Sequence, residues 1–278
     1  MSITRRQFLK GAGAAALVGV GGVSAYGGVV EAWDYEVTET VVPVRDLPER
    51  FEGFRIVQVS DVHHGRLVSI EEVRRVVGLA NAARADLVAL TGDYTTSLRK
   101  YVEPCAEALG ELRAPEGVWA VLGNHDHNTD GTLTRQALKR RGIEVLTNAN
   151  TTLRRGADVL QLAGVDDWGW GYADYSRALR GVEVSRPSVL LAHEPRALDE
   201  PETRGVSLIL SGHTHGGQIT LPFVGAPAAY AFKHLNYLRG MYESGGTRLY
   251  VSRGTGMIGV PVRVGARPEV AVLRLQRA

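Results

Sequence analysis

The chain reads as an α/β protein whose functional residues close buried strands, with a second sheet after the first. Three observations predict this. Apolar-rich runs at 54–59, 86–90 and 118–122 each lead into a short polar cluster: Ser60-Asp61-Val62-His63, Gly92-Asp93 and Gly123-Asn124-His125-Asp126. Helix-like stretches separate the runs, and strand, loop and helix recurring in this order is the pattern of a βαβ sheet with its site at the carboxyl strand ends. Shorter runs with Asn, Thr and Gly turns follow from Ile143.

From Glu36, Val37, Val42 and Val44 mark an alternating edge strand, closed by the turn chemistry of Leu47-Pro48 and Glu52-Gly53. Phe54 to Val59 is a buried strand. Ser69 then opens a helix over Ile70 to Arg84, with Glu71 and Glu72 in the first turn, where the positive end of the helix dipole favours acidic side chains. A strand over Asp86 to Leu90, a helix over Val102 to Leu112, a strand over Val118 to Leu122 and a helix from Thr132 to Arg141 continue the series. Ile143 to Leu146, Thr151 to Arg154 and Val159 to Ala163 are expected to form the second sheet. Ser188 to Ala192 and Val206 to Leu210 are again buried strands, ending at His193 and at Gly212-His213-Thr214-His215, and Arg248 to Ser252 and Glu269 to Leu275 are the last. No repeat or low-complexity linker interrupts this, so one catalytic domain is expected over 51–278, after a linker and edge strand at 31–50 and a distinct segment at 1–30.

With 44% apolar residues in 278, a substantial core can be buried. Thirty-two basic against 30 acidic residues leave a formal charge of +2, so no basic field favours nucleic acid and any phosphate recognition must be local. Cys105 is the only cysteine. That excludes an intramolecular disulfide and a Cys-rich zinc knuckle, leaving nitrogen and oxygen as metal donors.

Thr4-Arg5-Arg6-Gln7-Phe8-Leu9-Lys10, followed by the charge-free Gly11 to Val30, resembles a twin-arginine export signal. The alternative is a basic terminus before a soluble helix, which glycines at 11, 13, 19, 21 and 22 would weaken. Val23-Ser24-Ala25 is an approximate cleavage site, and about 20 residues just span a bilayer core, so a removed signal and a retained anchor both stay open. The expected partners are the twin-arginine machinery and the membrane, and the expected location is the periplasm or cell envelope, soluble or membrane-tethered.

Taken together, Asp61-Val62-His63, Gly92-Asp93, Gly123-Asn124-His125-Asp126, the strand-end His193 and Gly212-His213-Thr214-His215 resemble the calcineurin-like metallophosphoesterase superfamily, over almost everything after residue 50. The resemblance implies a two-sheet β-sandwich flanked by helices, in four αββα layers. It implies two divalent metal ions. Asp61, His63, Asp93 and His215 would bind the first, and Asp93, Asn124, His193 and His213 the second, with Asp93 bridging. It also has His125 protonate the leaving-group oxygen or steady the transition state, with Asp126 orienting and charging it.

The donor types suit that chemistry. Two dications about 3.5–4 Å apart need an anionic oxygen between them, and Asp93 has two oxygens to share. Neutral imidazoles and the Asn124 amide add no charge, so two carboxylates leave about +2 to bind hydroxide and an anionic phosphate, and manganese, iron and zinc all accept such a set. That hydroxide, bridging the metals, is the expected in-line nucleophile. Gly92, Gly123 and Gly212 precede ligands where the chain must turn without a Cβ clash.

Other positions leave alternatives. His64, His127 and His234 are expected to pack or meet solvent. The loop Asp166 to Tyr172 could hold a lipid or a base, or plug the second sheet. Leu221 to Tyr242 is apolar for a loop, with Pro222, Phe223, Tyr230 and Phe232, and suits a substrate cap, a membrane contact or internal packing. Arg253 and Arg263 flank Gly254-Thr255-Gly256 and could grip phosphate or pair with surface acids. The expected function is hydrolysis of a phosphodiester or diphosphate. Export signal and motif spacing are similar to a bacterial phosphodiesterase group that includes UDP-diacylglucosamine pyrophosphatases, which suggests a lipid-linked substrate, although nucleotide-linked lipid precursors are made inside the cell. A nucleotidase or phosphomonoesterase, or a non-catalytic metal-binding scaffold, are the alternatives; the full ligand set and His125 argue against the last.

Overall fold

Short strands that are apolar on both faces need cover on both sides, and two sheets with three apolar layers provide it. The structure, a computed structural model, describes residues 26–221, 223–227 and 236–278. The twin-arginine motif, the 23–25 cleavage site, Pro222, Tyr230, Phe232 and His234 lie outside the described residues.

In chain order the elements are β1 (Glu36–Val44), β2 (Arg55–Val59), α1 (Ile70–Ala82), β3 (Leu87–Leu90), α2 (Val102–Leu109), β4 (Val118–Ala120), α3 (Asn124–Arg140), β5 (Glu144–Val145), β6 (Ala149–Arg155) and β7 (Asp158–Gly164). Then follow α4 (Tyr175–Ala178), β8 (Ser188–Leu191), β9 (Leu208–Ser211), β10 (Gly240–Ser244), β11 (Thr247–Val251) and β12 (Glu269–Arg277). One six-stranded sheet runs β1-β12-β2-β3-β4-β5 and the other β10-β11-β9-β8-β7-β6. Both are mixed: β2 to β5 are mutually parallel, while β12 is antiparallel to β2 and parallel to β1.

Side-chain alternation sorts the layers. Leu87 and Ala89 of β3 face the packing between the sheets, with Leu162, Leu191 and Leu210 of the second sheet. Val88 and Leu90 face the other way, toward Val73, Val77 and Leu109 on the helices. A third layer joins Leu190, Ile209 and Val251 to Tyr175 and Ala197 on the outer face of the second sheet. Helices, two sheets and an outer layer give the expected sandwich. Ser69 caps α1 as anticipated, accepting from the Glu72 N–H.

Three local readings change. Glu144–Val145 belongs to the first sheet, because Val145 pairs with Ala120 and packs with Ile143 against the helices. The second sheet begins only at Ala149. The third helix starts at Asn124 instead of Thr132, with a break at Asp130 whose carboxylate accepts the Leu133 N–H at 2.9 Å. Its first half, Asn-His-Asp-His-Asn-Thr, carries site residues in place of an apolar stripe. Strand β10 lies at the end of the expected Leu221 to Tyr242 loop; it is a half-exposed edge with no buried face to announce it.

The parallel arrangement brings the carboxyl ends of β2, β3 and β4 to one rim, where they meet the ends of β8 and β9. Backbone bonds stitch that rim together: Asp61 N–H to Gly92 O at 3.0 Å, and Gly212 N–H to His193 O at 3.0 Å.

Candidate metal centre

Leaving a strand and presenting a donor within one or two residues forces unusual backbone. Asp61 (φ 52°), His63 (52°), Asp93 (58°), His213 (71°) and His215 (52°) all adopt the left-handed region, which for a non-glycine residue costs about 1–3 kcal/mol where sparsely populated. They are five of the ten such residues among those described. A Cβ at Gly212 would collide with Ser60 Oγ and the Asp61 carboxylate, so only glycine lets the second sheet approach. Gly254 serves Asp61 from behind: at φ 68° its Cβ would stand 2.7 Å from that of Asp61.

The seven expected ligands converge as two groups. Donor atoms of Asp61, His63 and His215 lie within 4.8 Å of one another, as do those of Asp93, His193 and His213. In the first group, His63 Nε2 faces His215 Nε2 at 3.1 Å and His215 Nε2 stands 3.7 Å from Asp61 Oδ1. In the second, Asn124 Oδ1 is 3.1 Å from both His193 Nε2 and His213 Nδ1. Asp93 Oδ2 lies between the groups, 3.5 Å from His63 Nε2 and 3.3 Å from His193 Nε2.

The electrostatics favour a cation. Burial pushes the His63 imidazole down to about 3 and that of His213 to about 4, and holds His215 well below the usual range, so three rings offer lone pairs near neutral pH. Burial also opposes charge on Asp93, yet His193 and His63 hold its carboxyl far below the ordinary carboxylate range. His193 moves the other way, its burial outweighed by the Asp93 carboxylate. Asp61 is pushed up to about 6 by burial, while its two oxygens take the His213 N–H at 2.9 and 3.1 Å. Thr91 O sits 2.7 Å from His193 Nδ1 and fixes a proton there, so that Nε2 is the ring atom turned inward toward Asp93. Two buried ring nitrogens facing each other, with no protein donor for both, fit a bound divalent ion, and the nitrogen and oxygen set is that of transition metals.

His125 joins the cluster differently. Its ring packs edge-on to His63 with centroids 4.9 Å apart, and its Nδ1 meets Thr96 O at 2.8 Å. Asp126 does not orient it, contrary to expectation. The Asp126 carboxylate is fully buried and accepts three backbone N–H groups, from Asp93 (2.8 Å), Tyr94 (2.9 Å) and Gly123 (3.0 Å). Burial pushes its carboxyl up to about 7 against those donors. Thr96, absent from the sequence reading, supplies the orienting group as a backbone carbonyl, which no side-chain pattern reveals.

A cavity of about 600 Å³ opens over Asp93, Asn124, His125 and His213. Its other walls are largely apolar, among them Trp168, Trp170, Ile219, Tyr237 and Ile258. Arg196, just after His193, stacks its guanidinium 3.5 Å above the Trp168 ring.

The sequence pattern of calcineurin-like phosphoesterases matches residues 54–217, more than half of the chain. The chain belongs to the calcineurin-like phosphoesterase family. It is therefore a metal-dependent phosphoric ester hydrolase, and a twin-arginine translocation signal matching residues 2–22 marks it for export by that route. The metallophosphoesterase YkuE of Bacillus subtilis is 37% identical over 281 residues, covering 99% of this chain and 98% of its own. Phosphodiesterase YaeI of Escherichia coli is 30% identical, covering 80% and 82%. A transmembrane protein with metallophosphoesterase domain from Danio rerio is 34% identical over 92% of this chain and 61% of its own. Among solved structures, the sulfate thiohydrolase SoxB of Thermus thermophilus shares the fold, with a TM-score of 0.51 at 16% identity over 76% of this chain and 53% of that one.

Arg253, Arg263, His64 and His127 of this phosphoesterase fall outside the two donor groups. Arg253 pairs with Glu36 (2.7 Å) and Glu269 (3.3 Å), and Arg263 is fully buried, so neither is aimed at a phosphate. His64 is buried with Nδ1 3.0 Å from Val68 O, and His127 Nε2 meets Asp166 at 2.7 Å. Trp168 and Trp170 do not plug the second sheet; half or more of each is exposed at the cavity. Among the described residues no helix is long and apolar enough to cross a membrane.

Proposed function

We propose that this phosphoesterase cleaves a phosphodiester or diphosphate bearing an apolar group, such as a lipid-linked phosphate ester, outside the cytoplasm. The observation that carries the reading is Asp93 Oδ2, within 3.5 Å of imidazoles from both donor groups, where a bridging carboxylate belongs. Asp61, His63, Asp93 and His215 would hold one divalent ion, and Asp93, Asn124, His193 and His213 a second. Bound there, the pair would neutralise phosphate oxygens and lower the pKa of attacking water. His125 lines the cavity, and with Nδ1 tied to Thr96 O its Nε2 is left to carry a proton to the departing oxygen. The Asp126 carboxylate holds the loops of Asp93 and Gly123 in register. Trp168, Trp170 and Ile258 would seat the apolar group, which supports a lipid-linked substrate over a compact polar monoester.

The full-length protein, loaded with manganese, tests this on bis(p-nitrophenyl) phosphate, p-nitrophenyl phosphate and a diacylated diphosphate in detergent. The diester should exceed the monoester by about tenfold or more in kcat/KM, and the diacylated substrate should show the lowest KM. A monoester turned over as fast as the diester would sink the proposal.

A further inference from the structure

We infer that the mouth of the cavity is a membrane-docking face, on which the described residues of segments 26–30, 218–227 and 254–262 rest against a lipid bilayer. The three segments contain no Asp, Glu, Lys or Arg. At the chain's 22% share of charged residues, 24 positions would carry about five, so the charge-free composition is local.

The segments are neighbours in space. Gly27 O accepts the Arg263 N–H at 3.1 Å, the Val264 N–H reaches Gln218 O at 2.9 Å, and the Thr220 N–H reaches Val264 O at 2.7 Å. The Gln218 amide donates to the carbonyls of Ile258 (2.9 Å) and Val260 (3.2 Å). Ile219, Ile258 and Val260 line the cavity itself, so this surface and the substrate's entry are continuous.

What the surface presents is costly in water. Phe223 is fully exposed, and it sits at φ 64°, where an aromatic side chain adds backbone strain to unfavourable hydration. Val29, Val30, Val224 and Val260 on the same three segments are exposed as well, and Trp168 and Trp170 line the cavity with Val260. Aromatic and aliphatic side chains around a cavity mouth suit the boundary between headgroups and acyl chains.

The chain's own course selects the occupant. The charge-free stretch that the export signal delivers to the bilayer runs from Gly11 to Val30, and its last residues, Tyr26 to Val30, are seated on this surface. Whether that stretch spans the bilayer or is removed, the fold meets the membrane side of the chain at the cavity mouth. With the lipid-linked substrate proposed above, on which this consequence alone rests, the reacting phosphate would pass from the headgroup layer to the metal centre without leaving the interface.

Position-specific quenching tests the docking without recourse to turnover. Cys105 is buried, so the full-length chain with Phe223→Cys takes a fluorophore at one exposed thiol, and Glu107→Cys on α2 provides a distant control. Vesicles of phosphatidylethanolamine and phosphatidylglycerol with brominated acyl chains should quench the Phe223 label by about half and leave the Glu107 label unchanged. Equal quenching of both labels, or of neither, overturns the inference. So does a spectral shift of the Phe223 label that grows with protein concentration without lipid, since a second copy would then cover the surface. The double variant Phe223→Glu with Val224→Glu should weaken vesicle binding about tenfold with an unchanged rate on bis(p-nitrophenyl) phosphate; unaltered binding overturns the inference. Loss of diester turnover in the wild type would defeat the proposed function and leave the quenching result standing.

Discussion

The Asp126 carboxylate accepts the backbone N–H of Asp93 at 2.8 Å and so fixes, from outside the donor set, the residue that stands between the two donor groups. Asp126→Asn replaces one acceptor by an amide that faces N–H donors. The variant should lose about 1–3 kcal/mol of stability and bind metal about 10–100-fold more weakly, with the pH–rate limb of the proton donor unmoved. Metal titration and a pH–rate profile check both. A shifted limb with intact metal affinity would return Asp126 to the orienting role that the sequence suggested.

His125 is the proposed proton donor, and with its Nδ1 committed to Thr96 O its removal should separate proton transfer from metal binding. His125→Ala should retain the metal content of the wild type and lose about 10²–10⁴-fold in turnover on an alkyl diester. The loss should be smaller on a p-nitrophenyl ester, whose leaving oxygen needs less protonation. Equal losses on the two would argue for a transition-state contact instead of acid catalysis.

How far the sequence carries depends on what kind of group does the work. Side chains that close strands were legible: Asp61, Asp93, His193 and His213 follow apolar runs, and parallel strands must bring such ends to one rim. Backbone groups were not. Thr96 O and Thr91 O orient His125 and His193, and nothing in a side-chain pattern signals a carbonyl. The sequence marks Asp126 but pairs it with the wrong neighbour, because adjacency to His125 in sequence is not adjacency in space when both sit on a helical turn. Strand β5 lies in the first sheet against expectation, since two residues carry no alternation to say which face is buried. Arg196 carries no signal in the sequence, because its stacking on Trp168 at the cavity wall joins residues from two separate loops.

Arg263 meets neither alternative that the sequence offers, a phosphate grip or a surface ion pair: it is fully buried and structural. Its guanidinium donates to the carbonyls of His215, Arg253, Gly254, Gly256 and Ala266, tying the glycine-rich loop behind Asp61. Burial lowers its pKa to about 10, so it stays charged at neutral pH. Arg263→Met strands those carbonyls and should cost about 3 kcal/mol or more in urea unfolding. A variant as stable as the wild type would refute this account.

Glu269 gives the fold a defined pH dependence. Its carboxylate, buried where β12 begins, accepts from Thr38 Oγ1 (2.6 Å), Tyr250 Oη (2.8 Å) and the Arg253 N–H (2.9 Å), and pairs with the Arg253 guanidinium at 3.3 Å. Burial opposes the charge, but Arg253 and these donors outweigh it and hold the carboxyl below its usual value. A depressed carboxyl stabilises the native state above its unfolded pKa, near 4.3, and that stability is lost as pH falls through the folded value. Glu269→Gln mimics the protonated side chain. The wild type should therefore exceed it by about 1.5–3 kcal/mol at pH 7, with the gap closing as the pH drops below 4. Urea unfolding at pH 7, 5 and 3 measures the gap directly; one that stays constant across the three would mean that the carboxylate's charge contributes nothing at this junction of the two sheets.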